Sequence, residues 1–271
     1  MWRSLIIEGG SVMTDQRAAD VVDALVESIR CVIRDKNVDY DEFHAAVAFL
    51  VRLAQAGEIP LLFAVMLEAT VDEVTHAAST GSTTTIQGPF YVPGAPLLAP
   101  PCKLPRRSDE PGDRLVVSGT VKGTDGTPLP GAELDMWQAT GEIPGRYSNV
   151  HPGLPDYNLR GRLRTDDRGT FEVETVVPAQ YEIPKDGPTG ELFQLAGRSA
   201  WRPAHLHFKV SRPGYRTLTT QLFFSGDPYL DQDAGNAVKP DLIIPLEKIT
   251  TEDAVGFRAT YDFVIEPQVS A

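Results

Sequence analysis

Apolar residues recur at every second position in several short segments of the second half of the chain, and this period of two most constrains its fold. In "GTFEVETVV" the alternate positions are Phe171, Val173, Thr175 and Val177. The segments "RLVVSGTV", "AELDMWQA", "PAHLHFKV" and "TLTTQLFFSG" have the same texture. Because alternate side chains of a strand share a face, each segment predicts a strand with one buried face. Turn residues separate the segments, so we predict a mainly antiparallel β-sandwich.

Residues 14–80 instead repeat their apolar positions every three to four residues, which is the period of an α-helix. The first helix is predicted after a cap signal at Thr14, and its apolar face carries Val22, Leu25, Ile29 and Val32. The second follows Asp39, which forms a capping-box pattern with Glu42, and it ends at Gly57.

A third helix is predicted to begin near Pro60. Its segment "PLLFAVMLEATVDEV" is apolar on more than one face, so neighbouring helices, the β half or another subunit must cover it. We expect self-association here. A helical part followed by a β-sandwich makes the chain an α+β protein.

Composition narrows the class of ligand. The formal net charge of −12, without basic clusters, opposes binding to nucleic acid or to an anionic membrane surface. No window approaches about 18 uninterrupted apolar residues, so we predict no membrane span, and the opening "MWRSLIIEGG" has too short an apolar run for a secretory signal. Two isolated cysteines fit a reducing compartment, and Cys31 has the sequence context of a core residue. We expect a cytoplasmic protein that binds a small molecule.

Two of the five histidines, His205 and His207, lie one residue apart in "RPAHLHFKV". In a strand their side chains share one face, while Leu206, Phe208 and Val210 face the other way. The pair predicts either two surface histidines or half of a metal site. Motifs for phosphate binding, dinucleotide binding, serine nucleophiles and H-E-x-x-H zinc sites do not occur in the sequence, so a metal site needs other ligands.

Two tyrosines occupy polar turns upstream, Tyr147 in "PGRYSNVHPG" and Tyr181 in "PAQYEIPKDGP". A phenolate is a hard anionic oxygen donor, which suits Fe(III) better than zinc or copper. Spacing alone equally allows an aromatic lid whose hydroxyl is hydrogen-bonded at a loop.

Longer stretches resemble a known family. "GPFYVPGAP", "GRYSN", "NLRGRLRTDDRGTFEVETVVPAQY", "WRPAHLHFKVSRPGYRTLTTQLFFSGDPYLDQDA" and "AVKPDLIIPL" are similar to the intradiol ring-cleaving dioxygenases, and most similar to the catechol and chlorocatechol 1,2-dioxygenases. The resemblance covers most of the chain. It implies a homodimer with a helical dimerisation and linker domain over 14–85 and a β-sandwich catalytic domain over 86–271. The opening residues 1–13, with one Arg and a short apolar run, are predicted to be a poorly ordered extension.

The same resemblance implies a non-haem Fe(III) held by Tyr147, Tyr181, His205 and His207. The competing Tyr157 lacks the G-x-Y-S setting of the family's first ligand, which Tyr147 has. The implied reaction places both atoms of O2 in catechol or a substituted catechol and yields a cis,cis-muconate, in aromatic hydrocarbon catabolism. Tyr181 is then the ligand that leaves and acts as a base.

Resemblance also assigns the residues around the substrate. Arg202 places a positive charge against the reacting ring, although a surface ion pair is the alternative, and Gln221 is its polar neighbour. The pocket walls are Leu61, Ala64, Val65, Ile86, Pro89 and Phe90, which could equally be plain core.

Two other functions remain open from the sequence. Relatives that take hydroxyquinol and give maleylacetate resemble a pattern with Asp where this chain has Ala64, so catechols with hydrogen, methyl or halogen substituents are favoured. A non-enzymatic transthyretin-like binding module also resembles "GTVKGTDGTPLPGAELDMWQA", but it does not require R-P-A-H-x-H. Family interfaces can enclose a phospholipid, which we carry as a further expectation.

Overall fold

Helices form the first part of the chain and strands the second, as the two periods predict. The computed structural model describes residues 15–148, 150–250 and 255–268, so the extension over 1–13 and the cap at Thr14 lie outside the described residues. The chain divides into two compact units between Arg52 and Leu53. The helices are α1 Asp15–Lys36, α2 Tyr40–Gln55, α3 Ile59–Met66, α4 Glu68–Thr75 and α5 Pro188–Leu195.

The predicted start and end of the second helix are confirmed. The Asp39 backbone N–H donates to the Glu42 carboxylate at 3.1 Å, and the Glu42 N–H donates to the Asp39 carboxylate at 2.9 Å, which is a complete capping box. Beyond the end of α2, Gly57 adopts φ +70°, a left-handed conformation that glycine tolerates. Cys31, expected in the core, is exposed on α1, so that prediction is wrong.

The prediction of one continuous third helix is also wrong, because the chain breaks into α3 and α4 at Leu67 (φ −127°, ψ −26°). The start of α4 is held by long-range contacts rather than by its own sequence. The Glu68 carboxylate accepts hydrogen bonds from the backbone N–H groups of Gln87 at 2.8 Å and Gly88 at 3.4 Å.

The strands form two main sheets and a short ribbon. Their bounds are β1 Cys102–Lys103, β2 Arg114–Gly123, β3 Glu133–Gln138, β4 Arg160–Arg164, β5 Thr170–Val176, β6 Tyr181–Glu182, β7 Trp201–Arg202, β8 His205–Ser211, β9 Leu218–Phe224, β10 Ile243–Ile244, β11 Glu247–Thr250, β12 Val255–Thr260 and β13 Phe263–Ile265. One sheet has the order β1-β5-β2-β12-β11, with β13 also paired to β2; the other has the order β10-β9-β8-β3-β4; β6 pairs with β7.

The longest ladders, β2 with β5 and β8 with β3 and β9, are antiparallel, as is β11 with β12. The parallel pairs are β1 with β5, β10 with β9, and both β12 and β13 with β2. Apolar side chains of both main sheets belong to one buried cluster, which is the core of a sandwich. The predicted α+β fold is thereby confirmed.

Strand β8 separates the core from the predicted site. Leu206, Phe208 and Val210 are completely buried in the sandwich core, as the period of two predicts. His205 and His207 point to the opposite face, where they are also buried, at 1% and 2% exposure. The prediction of two half-exposed surface histidines therefore does not apply.

None of the described helices is by itself long and apolar enough to cross a membrane. Only α2 and α3 taken together have that length and composition, and they are bent by 110° at the break between them.

Candidate metal centre

All four predicted metal ligands meet in one buried cluster. The Nε2 atoms of His205 and His207 lie 3.0 Å apart. The rings of Tyr147 and Tyr181 meet edge to face with their centroids 5.1 Å apart, and Tyr181 lies 5.6 Å from the ring of His205. None of the four residues is more than 3% exposed.

Strand pairing and one carboxylate bring these separate segments together. The ribbon of β6 and β7 places Tyr181 directly opposite Arg202. The Asp227 carboxylate then accepts hydrogen bonds from the Gln180 side chain at 2.8 Å and from the Ala204 backbone N–H at 3.0 Å. These are the residues that precede Tyr181 and His205, so Asp227 ties the P-A-Q-Y and R-P-A-H segments to each other.

The hydrogen bonds of the histidines define what their free nitrogens can bind. Nδ1 of His205 lies 2.7 Å from the Pro203 carbonyl oxygen, which only accepts, so Nδ1 carries the proton and Nε2 presents a lone pair. The approach of His207 Nε2 to 3.0 Å therefore needs a proton or a cation between the two nitrogens.

Two further atoms of the cluster lack a partner of ordinary hydrogen-bond geometry among the described residues, namely the Tyr147 hydroxyl and Nδ1 of His207. Buried polar atoms without a partner cost free energy, and of these two only the Tyr147 hydroxyl can bind the same group as the two imidazole Nε2 atoms. The phenol oxygen of Tyr147 is available for that group.

Burial controls the charge state of the four side chains. Desolvation, followed by the charge of Arg202, lowers the pKa of His205 to about 3, and desolvation with the neighbouring His205 lowers the pKa of His207 well below its usual value. Desolvation raises the pKa of both Tyr147 and Tyr181 above the usual value. The imidazoles are thus neutral, as ligation requires, and a bound cation is needed to ionise the phenols.

The donor set fits a hard cation. No group of three His, Cys, Asp or Glu residues that could hold a metal occurs within the described ranges, so the two phenols are essential to the site. Two imidazole nitrogens and two potential phenolate oxygens suit a highly charged, oxygen-loving metal better than a soft one.

Arg202 is buried beside this cluster, so the surface ion pair considered from the sequence does not apply. Its guanidinium binds Asp233 at 2.7 Å and 3.1 Å, the Gln221 side-chain oxygen at 2.9 Å and the Tyr181 hydroxyl at 3.2 Å. Burial alone would lower the pKa of Arg202, but the Asp233 carboxylate outweighs burial and raises that pKa. Burial alone would raise the pKa of Asp233, but the charge of Arg202 outweighs burial and lowers that pKa.

The predicted pocket residues lie together next to the cluster. They line one narrow cleft, whose full lining is Leu61, Ala64, Val65, Ile86, Pro89, Phe90, Tyr181, Ile183 and Arg202. Gln221 holds one wall, because its side-chain N–H donates to the Ile86 carbonyl at 2.7 Å. The cleft has the right neighbours to present a small aromatic ring to the four clustered side chains.

Sequence reasoning missed several residues of this region. Ile183 lines the cleft, Asp233 binds Arg202, and Trp137 stacks on His207 at 4.5 Å between ring centroids. Arg160 is buried with its guanidinium carbon 5.7 Å from the Tyr147 ring. Trp137 lies opposite His207 only once β3 and β8 are paired, so its role, like those of the others, depends on a strand pairing or a distant contact that the sequence does not specify.

The rejected candidate Tyr157 lies outside the cluster. It adopts φ +55° in an exposed turn, and its hydroxyl donates to the Pro93 carbonyl at 3.2 Å.

Two family models and several known proteins match the chain over most of its length. Residues 15–83 match the family model described as catechol dioxygenase N terminus, and residues 86–267 match the model described as dioxygenase. The chain is 40% identical over 257 residues to a chlorocatechol 1,2-dioxygenase from Rhodococcus opacus, covering 94% of this chain and 99% of that protein.

Two solved structures are also similar. The structure of 3-chlorocatechol 1,2-dioxygenase from Rhodococcus opacus matches with a TM-score of 0.89 at 42% identity, over 94% of this chain and 100% of that one. The structure of hydroxyquinol 1,2-dioxygenase from Pseudomonas putida matches with a TM-score of 0.84 at 36% identity, over 95% of this chain and 94% of that one. The chain therefore belongs to the intradiol ring-cleaving dioxygenase family.

Proposed function

We propose that this protein is an oxidoreductase that cleaves the ring of catechol, or of a chloro- or methyl-substituted catechol, between its two hydroxyl-bearing carbons. Both atoms of O2 enter the product, a cis,cis-muconate. The observation that carries this proposal is the convergence of Tyr147, Tyr181, His205 and His207 beside the buried Arg202. A transthyretin-like binding module would not need this cluster.

The cofactor of this proposal is a non-haem Fe(III) ion held by the two phenol oxygens and the two imidazole Nε2 atoms. When bound, this ion supplies a hard Lewis acid that lowers the pKa of the phenols and of the substrate hydroxyls. The neutral imidazoles support the assignment, as does the Tyr147 hydroxyl, which has no partner of ordinary hydrogen-bond geometry among the described residues.

Side chains of the protein then manage protons, charge and orientation. Tyr181 accepts a substrate proton. Its phenol oxygen lies 3.2 Å from Nη1 of Arg202, which stabilises the phenolate when that oxygen is no longer a ligand. Arg202 and Gln221 present a fixed polar wall on one side of the ring. The apolar walls of the cleft orient the ring and keep water away from it.

Substrate choice is proposed to depend on the helix wall. Ala64 faces the cleft with a methyl group, so it cannot accept a hydrogen bond from a third ring hydroxyl. This favours catechols over hydroxyquinol. The similarity to a hydroxyquinol enzyme keeps cleavage to maleylacetate as the second candidate.

Purified protein loaded with iron tests these assignments directly. We expect a visible charge-transfer colour, O2 consumption with catechol, and a product with the ultraviolet absorbance of a muconate. A panel of catechol, chlorocatechols, methylcatechols and hydroxyquinol then ranks the substrates by kcat/KM. A colourless protein that consumes no O2 with any of them would overturn the proposal, and a preference for hydroxyquinol would favour the second candidate.

We also propose that the protein forms a homodimer through its helical region. No residue of α1 is buried in the single chain, and its predicted apolar face is more than half exposed at Val22, Leu25, Ile29 and Val32. An apolar face of this kind is covered when two copies pair. Sedimentation at micromolar concentration should give a dimer, and lipid mass spectrometry after solvent extraction tests whether a phospholipid lies in the interface.

Two remaining assignments are part of the same proposal. The helical and catalytic domains extend over 14–85 and 86–271, which is supported by the positions of the two family matches. A cytoplasmic location is supported by the free thiols of Cys31 and Cys102.

A further inference from the structure

A buried carboxylate outside the cleft lining holds the guanidinium that faces the metal ligands. Asp233 accepts from Nε of Arg202 at 2.7 Å with one oxygen and from Nη2 at 3.1 Å with the other, and both side chains are less than 10% exposed. This two-point contact fixes the guanidinium plane. The remaining nitrogen, Nη1, is thereby directed at the Tyr181 hydroxyl and at Nε2 of His205, at 3.2 Å and 3.3 Å.

The loop around Asp233 is built to hold this pair. Each carboxylate oxygen accepts a second hydrogen bond, from the backbone N–H of Gly235 at 3.1 Å or of Ala237 at 2.9 Å. A Cβ atom at Gly235 would lie 3.0 Å from Nε of Arg202 and 3.1 Å from Cζ. A side chain there would therefore press directly on the guanidinium, which explains a glycine at a position without a left-handed backbone.

We propose that Asp233 is a positioning residue for ring cleavage, which acts by holding Arg202 in the orientation that addresses Tyr181 and the substrate ring. This inference rests on the proposed function for its catalytic consequence, but not for its geometry. Among the described residues, Asp233 makes no hydrogen bond to the four ligands and does not line the cleft, whereas it binds Arg202 at two points, so we expect its effect on catalysis to pass mainly through Arg202.

The test compares Asp233→Asn, Gly235→Ala and the control Asp72→Asn. Each oxygen of Asp233 accepts from one nitrogen of Arg202 and from one backbone N–H. In either orientation of the amide in Asp233→Asn, the NH₂ group would face two of these donors, so Arg202 would lose the two-point contact. We expect kcat to fall about 10- to 100-fold, with a smaller change in KM. Gly235→Ala keeps the carboxylate but displaces the guanidinium, and it should lower kcat in the same direction.

Asp72 is a matched control. It is 8% exposed, against 7% for Asp233, and its carboxylate binds a cation, Lys239, at 2.7 Å outside the cleft. Asp72→Asn should reduce the unfolding temperature while kcat stays within about twofold of wild type. If Asp233→Asn and Gly235→Ala both keep kcat within about twofold of wild type, the inference is overturned.

A double-mutant cycle separates positioning from a general loss of structure. Once Arg202→Gln has removed the guanidinium, adding Asp233→Asn should change kcat by no more than about twofold. Costs that multiply would show that Asp233 acts independently of Arg202 and would overturn the inference.

A crystal structure of Asp233→Asn gives a readout that does not depend on activity. The distance between Arg202 Nη1 and the Tyr181 hydroxyl should increase beyond hydrogen-bond length, and an unmoved guanidinium would contradict the inference. If the wild type itself cleaves no catechol, the proposed function fails, yet this crystallographic comparison still decides whether Asp233 positions Arg202.

Discussion

The metal-free protein should lose stability steeply between pH 7.5 and pH 5.5 because His205 and His207 are buried as neutral imidazoles. Burial lowers the pKa of His205 to about 3 and the pKa of His207 well below its usual value. The unfolded chain protonates both near pH 6.5. The folded state binds fewer protons in this window, so stability is present above pH 6.5 and is lost as the pH falls toward the folded pKa.

The loss in the free energy of unfolding depends only on the pKa of histidine in the unfolded chain, because the pKa values of His205 and His207 in the folded protein lie well below pH 5.5. For one histidine the free energy of unfolding falls by about 1.4 kcal/mol between pH 7.5 and pH 5.5. Two such histidines give a fall of roughly 2.7 kcal/mol, a large part of the stability of an ordinary domain.

Urea unfolding of chelator-treated protein, at one protein concentration and at both pH values, measures this change. A variant with His205→Asn and His207→Asn is the control, because its other histidines and its carboxylates are unchanged and cancel in the comparison. The wild type should lose about 2.7 kcal/mol more than the variant between the two pH values. Equal losses in the two proteins would refute the buried neutral imidazoles.

Four further substitutions test individual roles. Tyr147→Phe and His205→Ala should purify with far less iron than wild type by metal analysis, and wild-type iron content in both would contradict the ligand assignment. Tyr181→Phe should slow proton removal from catechol more than it weakens iron binding. Rapid-mixing absorbance follows the binding and deprotonation of catechol, and metal analysis gives the iron content. An unchanged rate of catechol binding would argue against Tyr181 as the base. Ala64→Asp should raise the ratio of kcat/KM for hydroxyquinol to kcat/KM for catechol about tenfold, because the carboxylate can accept a hydrogen bond from the third ring hydroxyl. Oxygen uptake measures both values. An unchanged ratio would show that residue 64 does not contact the substrate.

Features that depend on local periodicity were predictable from the sequence. The period of two in β8 predicts the buried Leu206, Phe208 and Val210 and places both histidines on the other face. The capping box at Asp39 and Glu42 is equally local, because both partners lie within one turn. In these cases the determinant and the structure occupy the same few residues.

Features that depend on distant partners were not predictable in this way. Neither Gly nor Pro occurs at the break between α3 and α4, where Glu68 instead binds backbone groups of residues 87 and 88. Asp233 has no motif of its own, and its role appears only when the fold places it against a residue 31 positions away. Ile183 lines the cleft for the same reason, because β6 and β7 must first pair.

The structure also gives Tyr147 and Tyr181 different hydrogen-bonding surroundings. A guanidinium lies near each ring, Arg160 near Tyr147 and Arg202 near Tyr181, at 5.7 Å and 5.9 Å from the ring centroids. Only Tyr181 receives a hydrogen bond from its arginine, whereas the Tyr147 hydroxyl has no partner of ordinary geometry among the described residues. A phenolate that leaves a metal needs another donor, because a buried anion without one is strongly destabilised. Tyr181 has that donor in place, which supports our proposal that Tyr181, rather than Tyr147, is the ligand that departs and takes the substrate proton.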